Sequence, residues 1–520
     1  MTITHTSENS ISGTPAAPER VDTSLSQIRD RDFGYNEARH LLLRAGFGGT
    51  DEQIRTLAEW GPERAVDYLL DYEDIPAEAD ARDAFDSGII RPRNDAEKRA
   101  YRKAQQASDE NALAQFRTIR QRAQRDDRNQ MRKVQQWWIT RMIQTPRPFE
   151  EKLTLFWHGH FATNFRTIED SYHMYAQNRM LRANALGNFG DLLRGIVRDP
   201  AMLKYLNNNQ NRKSSPNENL AREIMELFSL GEGNYTERDI KDGAKALTGF
   251  TYRDDAFVFN KNQHDNNSKR ILGSIGNLDA DGFVNAILLS PNCAPFICAK
   301  LYKYFVSDIS TDVRSLKGAP RTVVRKMSAM LQDQRYDLKP VLRRLFLSRH
   351  FYDPSVMGNK IKSPAELVIG AVRTLNVPVR NLTILTGAMD MMGQSVFLPP
   401  SVKGWDGGRS WINTSTLFIR QNTLVYMLTG QQAQKNRRFV DPTAYDPTRL
   451  VPSMNDPRMD SNPPAELIAN ELLDLTLGHR PMGAIEFLVD AANKVDKPNT
   501  TKGITTMLLL ITSMPEYQLS

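Results

Sequence analysis

The sequence lacks several features that would place it in a common protein class. It has only two cysteines in 520 residues, Cys293 and Cys298, which are too few for a disulfide framework. Both fall in an apolar run that predicts a buried helix, a setting that favours structural thiols over a metal or redox pair. No stretch reaches the ~18 apolar residues of a membrane span, and the polar first thirty residues contain no signal-peptide core. We therefore expect a soluble, cytoplasmic protein without membrane contact.

Catalytic signatures and a strong charge bias are also missing. The sequence has no nucleophile elbow, no P-loop and no dinucleotide-binding glycine pattern with the strand and helix that each requires. The net charge of +7 is small for a chain of this length. It supports weak attraction to anions and no more, so we expect no nucleic-acid partner.

Helical patterns account for most of what is present. Thr50 to Gln53 forms a capping box, and Pro62 suits the first turn of a following helix. The segment 216–230 predicts a strong helix that ends at Gly231. Around 251–260 and 268–273 the residues become β-rich and turn-bounded, which is typical of a small hairpin. The predicted fold class is mainly α, a large multi-helix domain with a small β-hairpin insertion.

The chain divides by composition into a few predicted regions. They are a disordered tail at 1–32, a helical domain at 33–430, a surface loop at 431–464 and C-terminal helices at 465–520 that pack on the main domain. Within the domain, 94–133 is a charged helical arm with a basic excess. Tyr101 and Phe116 are its only aromatic residues, too few for the stacking that nucleic-acid binding uses. A solvated or partner-facing helix is therefore favoured over an arm that binds nucleic acid.

The segment from Phe156 to Gly273 concentrates ionisable residues in apolar surroundings and contains four of the eight histidines. On a helix, His158 and His160 would splay by about 200°, but Gly159 between them lets the chain loosen so that both face one ion. Glu223 and Glu226 lie one helical turn apart. Imidazole with carboxylate suits a divalent metal such as Zn, Mn or Fe. The predicted ligands are His158, His160, Glu223, Glu226 and His264.

Other residues of the same segment complete the predicted site, together with a tryptophan–glycine loop at 399–413, called the tryptophan loop below. Glu218 or Asp265 is the candidate catalytic base. The candidate substrate-binding residues are Asn217, Asn219, Arg222, Trp405 and Trp411. Two alternatives stay open. Arg222 or Arg182 could neutralise the glutamates in a buried ion-pair network, and the tryptophans could plug the end of the helical core.

Several segments resemble a bacterial family, domain of unknown function 1800 (DUF1800). They are 38–48, 152–161, 185–189, 199–203, 217–228, 235–237, 246–250, 402–405 and 411–414. The resemblance spans about 36–428. Where the family reads His-Asn-His, this chain has His158-Gly159-His160, so a family role for the middle residue does not carry over.

The resemblance implies a helical protein but passes on no catalytic role, because the family has no settled activity. It also implies a partner, since such proteins are often encoded beside a second family (domain of unknown function 1501) that is related to sulfatase- and phosphatase-like folds. Two functions are therefore carried forward. One is a metal-dependent enzyme of unknown substrate with a His/Glu pocket, and the other is a non-enzymatic scaffold that acts with a protein of the 1501 family.

Overall fold

The computed structural model describes residues 21–77, 84–433, 438–455 and 463–520, and within these ranges the chain is mainly helical. The helices of the first half are α1 Tyr35–Gly46, α2 Asp51–Leu70, α3 Asp95–Gln106, α4 Glu110–Gln144, α5 Pro148–His160, α6 Phe165–Ile168, α7 Ser171–Ala183, α8 Phe189–Ile196, α9 Pro200–Tyr205, α10 Asn219–Met225 and α11 Glu237–Ala246. Those of the second half are α12 Ala280–Leu289, α13 Cys293–Phe305, α14 Gly318–Asp333, α15 Leu338–Phe346, α16 Pro364–Leu375, α17 Leu382–Met391, α18 Thr414–Thr429, α19 Pro452–Asn455, α20 Ala465–Thr476, α21 Ala484–Val495 and α22 Thr501–Ser513.

The strands form three small antiparallel pairs in the described ranges. They are β1 Phe250–Arg253 with β2 Ala256–Phe259, β3 Lys269–Ile271 with β4 Ser274–Gly276, and β5 Gln431–Ala433 with β6 Arg438–Val440. In the first pair Phe250 lies opposite Phe259 and Tyr252 opposite Phe257. The mainly α class with a small β insertion is thus confirmed, and each of the two β-rich segments pairs within itself.

Helix boundaries follow the local chemistry of the sequence. The Thr50 side chain accepts a hydrogen bond from the Gln53 backbone N–H, so the predicted capping box opens α2. Gly61 interrupts this helix with a φ of 75°, and Pro62 starts its second half, as predicted for a proline in a first turn. After α10 the helix widens into a π-helix over Glu226–Leu230 and ends at Gly231.

Helix α5 lies in the core and positions the residues that matter most below. Every residue of this helix except Gly159 is buried, and it packs against α1, α2, α4 and α7. Buried charges on such a helix need partners because unpaired burial is costly. Glu151 accepts hydrogen bonds from Arg141 and Arg182, and Lys152 donates to Glu366 at 2.5 Å.

The predicted charged arm is a helical hairpin and not one continuous helix. Helices α3 and α4 are separated by a turn in which Ser108 has a φ of 48°. The Tyr101 and Phe116 rings meet edge to face at 5.4 Å, and the Arg93 guanidinium lies over the Tyr101 ring at 3.7 Å. Most side chains near the tip are exposed, and α4 becomes buried only from Asp127 onward.

The two ends of the described chain pack on the main body. Residues 1–20 of the predicted tail lie outside the described residues, whereas Leu25 and Ile28 are buried in the core. Arg39 donates hydrogen bonds to the carbonyls of Thr476 and Leu477, which join α1 to the end of α20. No single described helix has both the length and the hydropathy to cross a membrane. The pair α12 and α13, bent by 77°, meets that test only when both helices are counted together.

Candidate functional site

The two histidines of α5 point to different surroundings. The helix stays regular through His160, so the loosening expected at Gly159 does not occur and the side chains splay. The His158 ring packs against Trp138 and Phe397, at centroid distances of 5.0 and 4.9 Å. The His160 ring instead packs near Phe228, at 5.9 Å. The structure therefore does not aim the two imidazoles at one ion.

Hydrogen bonds fix a different tautomer for each imidazole. The Phe397 backbone N–H donates to His158 Nε2 at 2.9 Å, so the His158 proton is on Nδ1. His160 Nε2 lies 2.9 Å from the Phe228 carbonyl, which can only accept, so the His160 proton is on Nε2 and Nδ1 keeps a lone pair. Both Nδ1 atoms are buried without a hydrogen-bond partner among the described residues.

Burial keeps both imidazoles neutral. Desolvation lowers the pKa of His158 to about 3. The pKa of His160 also falls to about 3, chiefly through burial and further through the positive charge of Lys300. The lone pair of His158, on Nε2, already accepts a hydrogen bond, whereas the lone pair of His160, on Nδ1, accepts none from the described residues.

The predicted acidic ligands lie on the helix that follows the asparagine-rich turn. Glu226 accepts a hydrogen bond from the Tyr235 hydroxyl. Burial raises the pKa of the half-buried Glu223, and the charge of Glu226 raises it further. The arginines proposed to neutralise this pair bind other carboxylates: Arg222 pairs with Glu218 and Glu237, and Arg182 pairs with Glu151.

The remaining predicted residues take part in local hydrogen bonds. His264 Nδ1 lies 2.9 Å from the Thr248 carbonyl, and Asp265 accepts from the Asn267 backbone N–H in a turn. The Asn217 side chain accepts from the Asn219 backbone N–H at the start of α10. These hydrogen bonds are local to the segments that carry the residues, and the catalytic role of Glu218 or Asp265 stays a prediction.

The predicted metal ligands do not form one group. In the part of the chain that the structure describes, no three His, Cys, Asp or Glu side chains are placed so that they could hold a metal ion. The described residues thus form no ready donor group for the expected Zn, Mn or Fe. A divalent metal stays a prediction.

A cavity of about 350 Å³ opens beside His160. It lies between the end of α5, one face of α13 and the tryptophan loop, and the rings of Phe156, Tyr304, Trp405 and Trp411 contribute to its wall. Four lysines also line it, namely Lys300, Lys303, Lys360 and Lys403. Sequence reasoning found His160 and the two tryptophans but missed the lysines. The sequence gives little indication that these lysines meet. Only Lys300 and Lys303 lie on one helix, where they share a face with Tyr304, and the other two come from distant segments.

Close backbone contact holds the tryptophan loop on α5. Gly404 has a φ of 81°, and a Cβ there would lie 2.1 Å from the carbonyl oxygen of Gly159. The Trp405 ring in turn lies 3.5 Å from where a Cβ of Gly159 would be. Trp405 is partly exposed in the cavity wall, whereas Trp411 is buried. Trp411 therefore fits the plug interpretation better, and Trp405 is placed to contact a ligand.

The cavity carries a surplus of positive charge. Its carboxylates are already paired: Asp308 with Lys303 at 3.4 Å, Asp406 with Lys403 at 2.7 Å, and Glu366 with both Lys152 and Lys360. Burial lowers the pKa of Lys300 to about 8, and the charges of Lys303 and Lys403 contribute. A lysine held among cations without a carboxylate of its own favours an anionic ligand.

Comparison with protein families identifies the chain. The family described as "Protein of unknown function (DUF1800)" matches residues 40–519. The chain belongs to this family. No curated protein and no solved structure matches it.

The DUF1800 match extends beyond the span of the resemblance seen in the sequence. The resemblance in the sequence ended near 428, but the family region continues to 519 and includes α20, α21 and α22. It also contains α5, α13 and the tryptophan loop, so the whole cavity lies within the DUF1800 region.

Proposed function

We propose that this DUF1800 protein binds a small organic anion that carries a flat or sugar ring in the cavity beside His160. The observation that carries the proposal is the combination of four lysines with exposed aromatic surface in one concave wall. Lysines attract a phosphate or carboxylate, and the faces of Trp405 and Tyr304 suit a ring. The volume of about 350 Å³ lies in the range of small-molecule sites, roughly 300–1,000 Å³.

The neutral state of His160 is consistent with this ligand class. A neutral imidazole adds no charge of its own, and the lone pair on Nδ1 offers a hydrogen-bond acceptor once the neighbouring groups move. That atom is buried, so contact with a ligand requires a small rearrangement at the cavity wall.

The binding test uses ring-bearing anions and the protein's own tryptophan fluorescence. Pyridoxine 5′-phosphate, glucose 6-phosphate and benzoate are titrated while quenching and the melting temperature are followed. We expect at least one to bind with a dissociation constant below the millimolar range, because Trp405 and the lysines lie in the same wall. Lys300→Met should weaken that binding about tenfold, the loss of roughly 1.4 kcal/mol of electrostatic attraction.

A matched control separates the cavity from general surface charge. Lys339→Met removes an exposed lysine of α15 that pairs with Asp71, and it should leave binding unchanged. Equal weakening by both substitutions, or no binding by any of the three anions, would contradict the proposal.

A second candidate function is partner binding through the α3–α4 hairpin. Ile119 is 65% exposed among polar and charged side chains on a hairpin that lies mostly outside the core, and a partner would cover this apolar side chain. Co-expression with a protein of the 1501 family tests this role. Ile119→Asp should reduce co-purification, whereas Met482→Asp, at another exposed apolar residue, should not. Retention of the partner by Ile119→Asp would argue against the hairpin.

A further inference from the structure

Lys300 lies in the wall between two cavities. The cavity beside His160 has a larger neighbour of about 520 Å³, and Lys300, Thr311 and Lys403 line both. The ammonium of Lys300 lies over the Phe296 ring, 5.3 Å from its centroid. A ligand in either cavity therefore comes close to this amine.

The environment of Lys300 differs from that of the other lysines in the cavity. Lys303, Lys360 and Lys403 each form an ion pair with a carboxylate. Lys300 forms no hydrogen bond or ion pair with any residue that the structure describes, and its charged influences are two other lysines. The remaining charged groups of the neighbouring cavity are Glu226, Glu232, Asp312, Arg314, Arg321 and Arg325.

We propose that Lys300 is a nucleophile that forms an imine with the carbonyl group of an anionic ligand bound in this cavity. This inference rests on the proposed function and adds covalent chemistry to it. The Nζ lone pair attacks the carbonyl carbon to give a carbinolamine. The C–O bond then breaks, and the hydroxyl leaves as water with the proton that Nζ released through solvent. Amine and carbonyl thus become imine and water, with no oxidant or reductant.

The protonation of Lys300 suits this step. Only a neutral amine attacks a carbonyl, and lysine is activated when it is desolvated or placed beside other cations. With a pKa of about 8, roughly a quarter of Lys300 is neutral at pH 7.5. An ordinary lysine is neutral to only about one part in a thousand at that pH. Lys300 should therefore react much faster than its neighbours, although lower basicity offsets part of this gain.

The test traps the imine on the intact protein. Pyridoxal 5′-phosphate carries a ring, a phosphate and an aldehyde, and borohydride reduces its imine to a stable adduct that peptide mass spectrometry locates. At pH 7.5 and equimolar probe, we expect Lys300 to be labelled at least about tenfold faster than Lys303 or Lys403. The labelling rate should rise with pH and level off above about 8.

Two variants and a matched probe make the outcome decisive. Lys300→Arg keeps the positive charge and should abolish the adduct at this position, whereas Lys339→Arg, at an exposed lysine of α15 outside both cavities, should leave Lys300 labelling intact. Melting temperatures of both variants establish that they fold. Labelling of Lys300 no faster than of its neighbours, or a rate that keeps rising to pH 10, would overturn the proposal.

Pyridoxine 5′-phosphate separates this inference from the proposed function, because it has the ring and the phosphate but no aldehyde. If it binds and pyridoxal 5′-phosphate forms no adduct at Lys300, the binding function stands and the imine is refuted. If neither compound binds, the imine proposal fails, and the binding function fails with it when glucose 6-phosphate and benzoate do not bind either.

Discussion

At the scale of single residues, the histidines of α5 differ in which ring nitrogen carries the proton. His158 Nε2 accepts a hydrogen bond from the Phe397 backbone N–H, and this bond joins α5 to the chain just before the tryptophan loop. His160 Nε2–H donates a hydrogen bond to the Phe228 carbonyl in the π-helix. One imidazole is therefore a structural link, and the other keeps an unused acceptor beside the cavity.

The neutral state of both imidazoles makes the protein sensitive to acid. Each has a folded-state pKa near 3 against about 6.5 when unfolded, so the unfolded chain binds more protons between these values. The stabilisation is complete above pH 6.5 and is lost as the pH falls below it. Each histidine should contribute about 1.4 kcal/mol of lost stability per pH unit in that window. Urea unfolding at pH 7 and pH 5 measures the loss.

His160→Gln isolates one of the two contributions. The glutamine amide still donates to the Phe228 carbonyl but does not titrate. Between pH 6.5 and 5, the free energy of unfolding of the variant should therefore fall by about 2 kcal/mol less than that of the wild-type protein. Asp199, whose burial raises its pKa to about 6, acts in the opposite direction and is common to both proteins. An unchanged pH dependence in the variant would show that folding does not lower the pKa of His160.

At the scale of elements, the contact between α5 and the tryptophan loop depends on glycine. Gly404→Ala places a methyl group against the Gly159 carbonyl and also strains a positive φ. We expect a loss of about 2–4 kcal/mol, the sum of backbone strain and overpacking. Chemical denaturation and the tryptophan emission maximum would report it.

Gly273→Ala is the matched control for this prediction. Gly273 also has a positive φ, of 89°, but no atom lies within 4 Å of where its Cβ would be. The Gly273→Ala variant should therefore lose only about 1–2 kcal/mol of stability, from the backbone strain alone. Equal losses at the two positions would mean that the close approach to α5 does not matter.

The elements that the sequence predicted well are those with local chemical signals. The capping box at Thr50 and the helix start at Pro62 both appear as expected. The π-helix was missed because one extra residue per turn leaves the apolar spacing of a short segment nearly unchanged. The break between α3 and α4 was missed because Ser108 in a charged segment gives no strong stop signal.

At the scale of the whole molecule, buried arginines join segments that are far apart in the chain. Arg44 on α1 is fully buried and donates to the carbonyls of Val306, Val356 and Ser520 at 2.7, 2.9 and 2.6 Å. Its acceptors are backbone oxygens and the side-chain oxygen of Asn359 at 3.2 Å, so an apolar side chain at this position would leave several buried acceptors unpaired.

Arg44→Met should therefore destabilise the fold severely. Several buried carbonyls lose a charged donor together, and we expect a loss of at least about 3 kcal/mol in urea denaturation. Arg349→Met, at an exposed arginine 3.6 Å from Asp22, should change stability by no more than about 0.5 kcal/mol. Similar small effects for both would show that water satisfies the carbonyls around Arg44.

The candidate site was only partly predictable because it is assembled at this largest scale. Its residues come from α5, α13, the chain around 360 and the loop around 405, and nothing local brings them together. The expected grouping of metal ligands is not seen among the described residues, for a related reason. The acids and imidazoles come from separate elements of one segment, and a regular helix through His160 directs its own two imidazoles to different neighbours. Trp405 was found because a tryptophan among glycines is itself a local signal.

The glycine between the two histidines has a consequence for the shape of the cavity mouth. Its missing side chain leaves the space that the Trp405 ring occupies. A larger residue such as asparagine at position 159 would push the aromatic ring away from the helix. The width of the entrance therefore depends on a single position of α5.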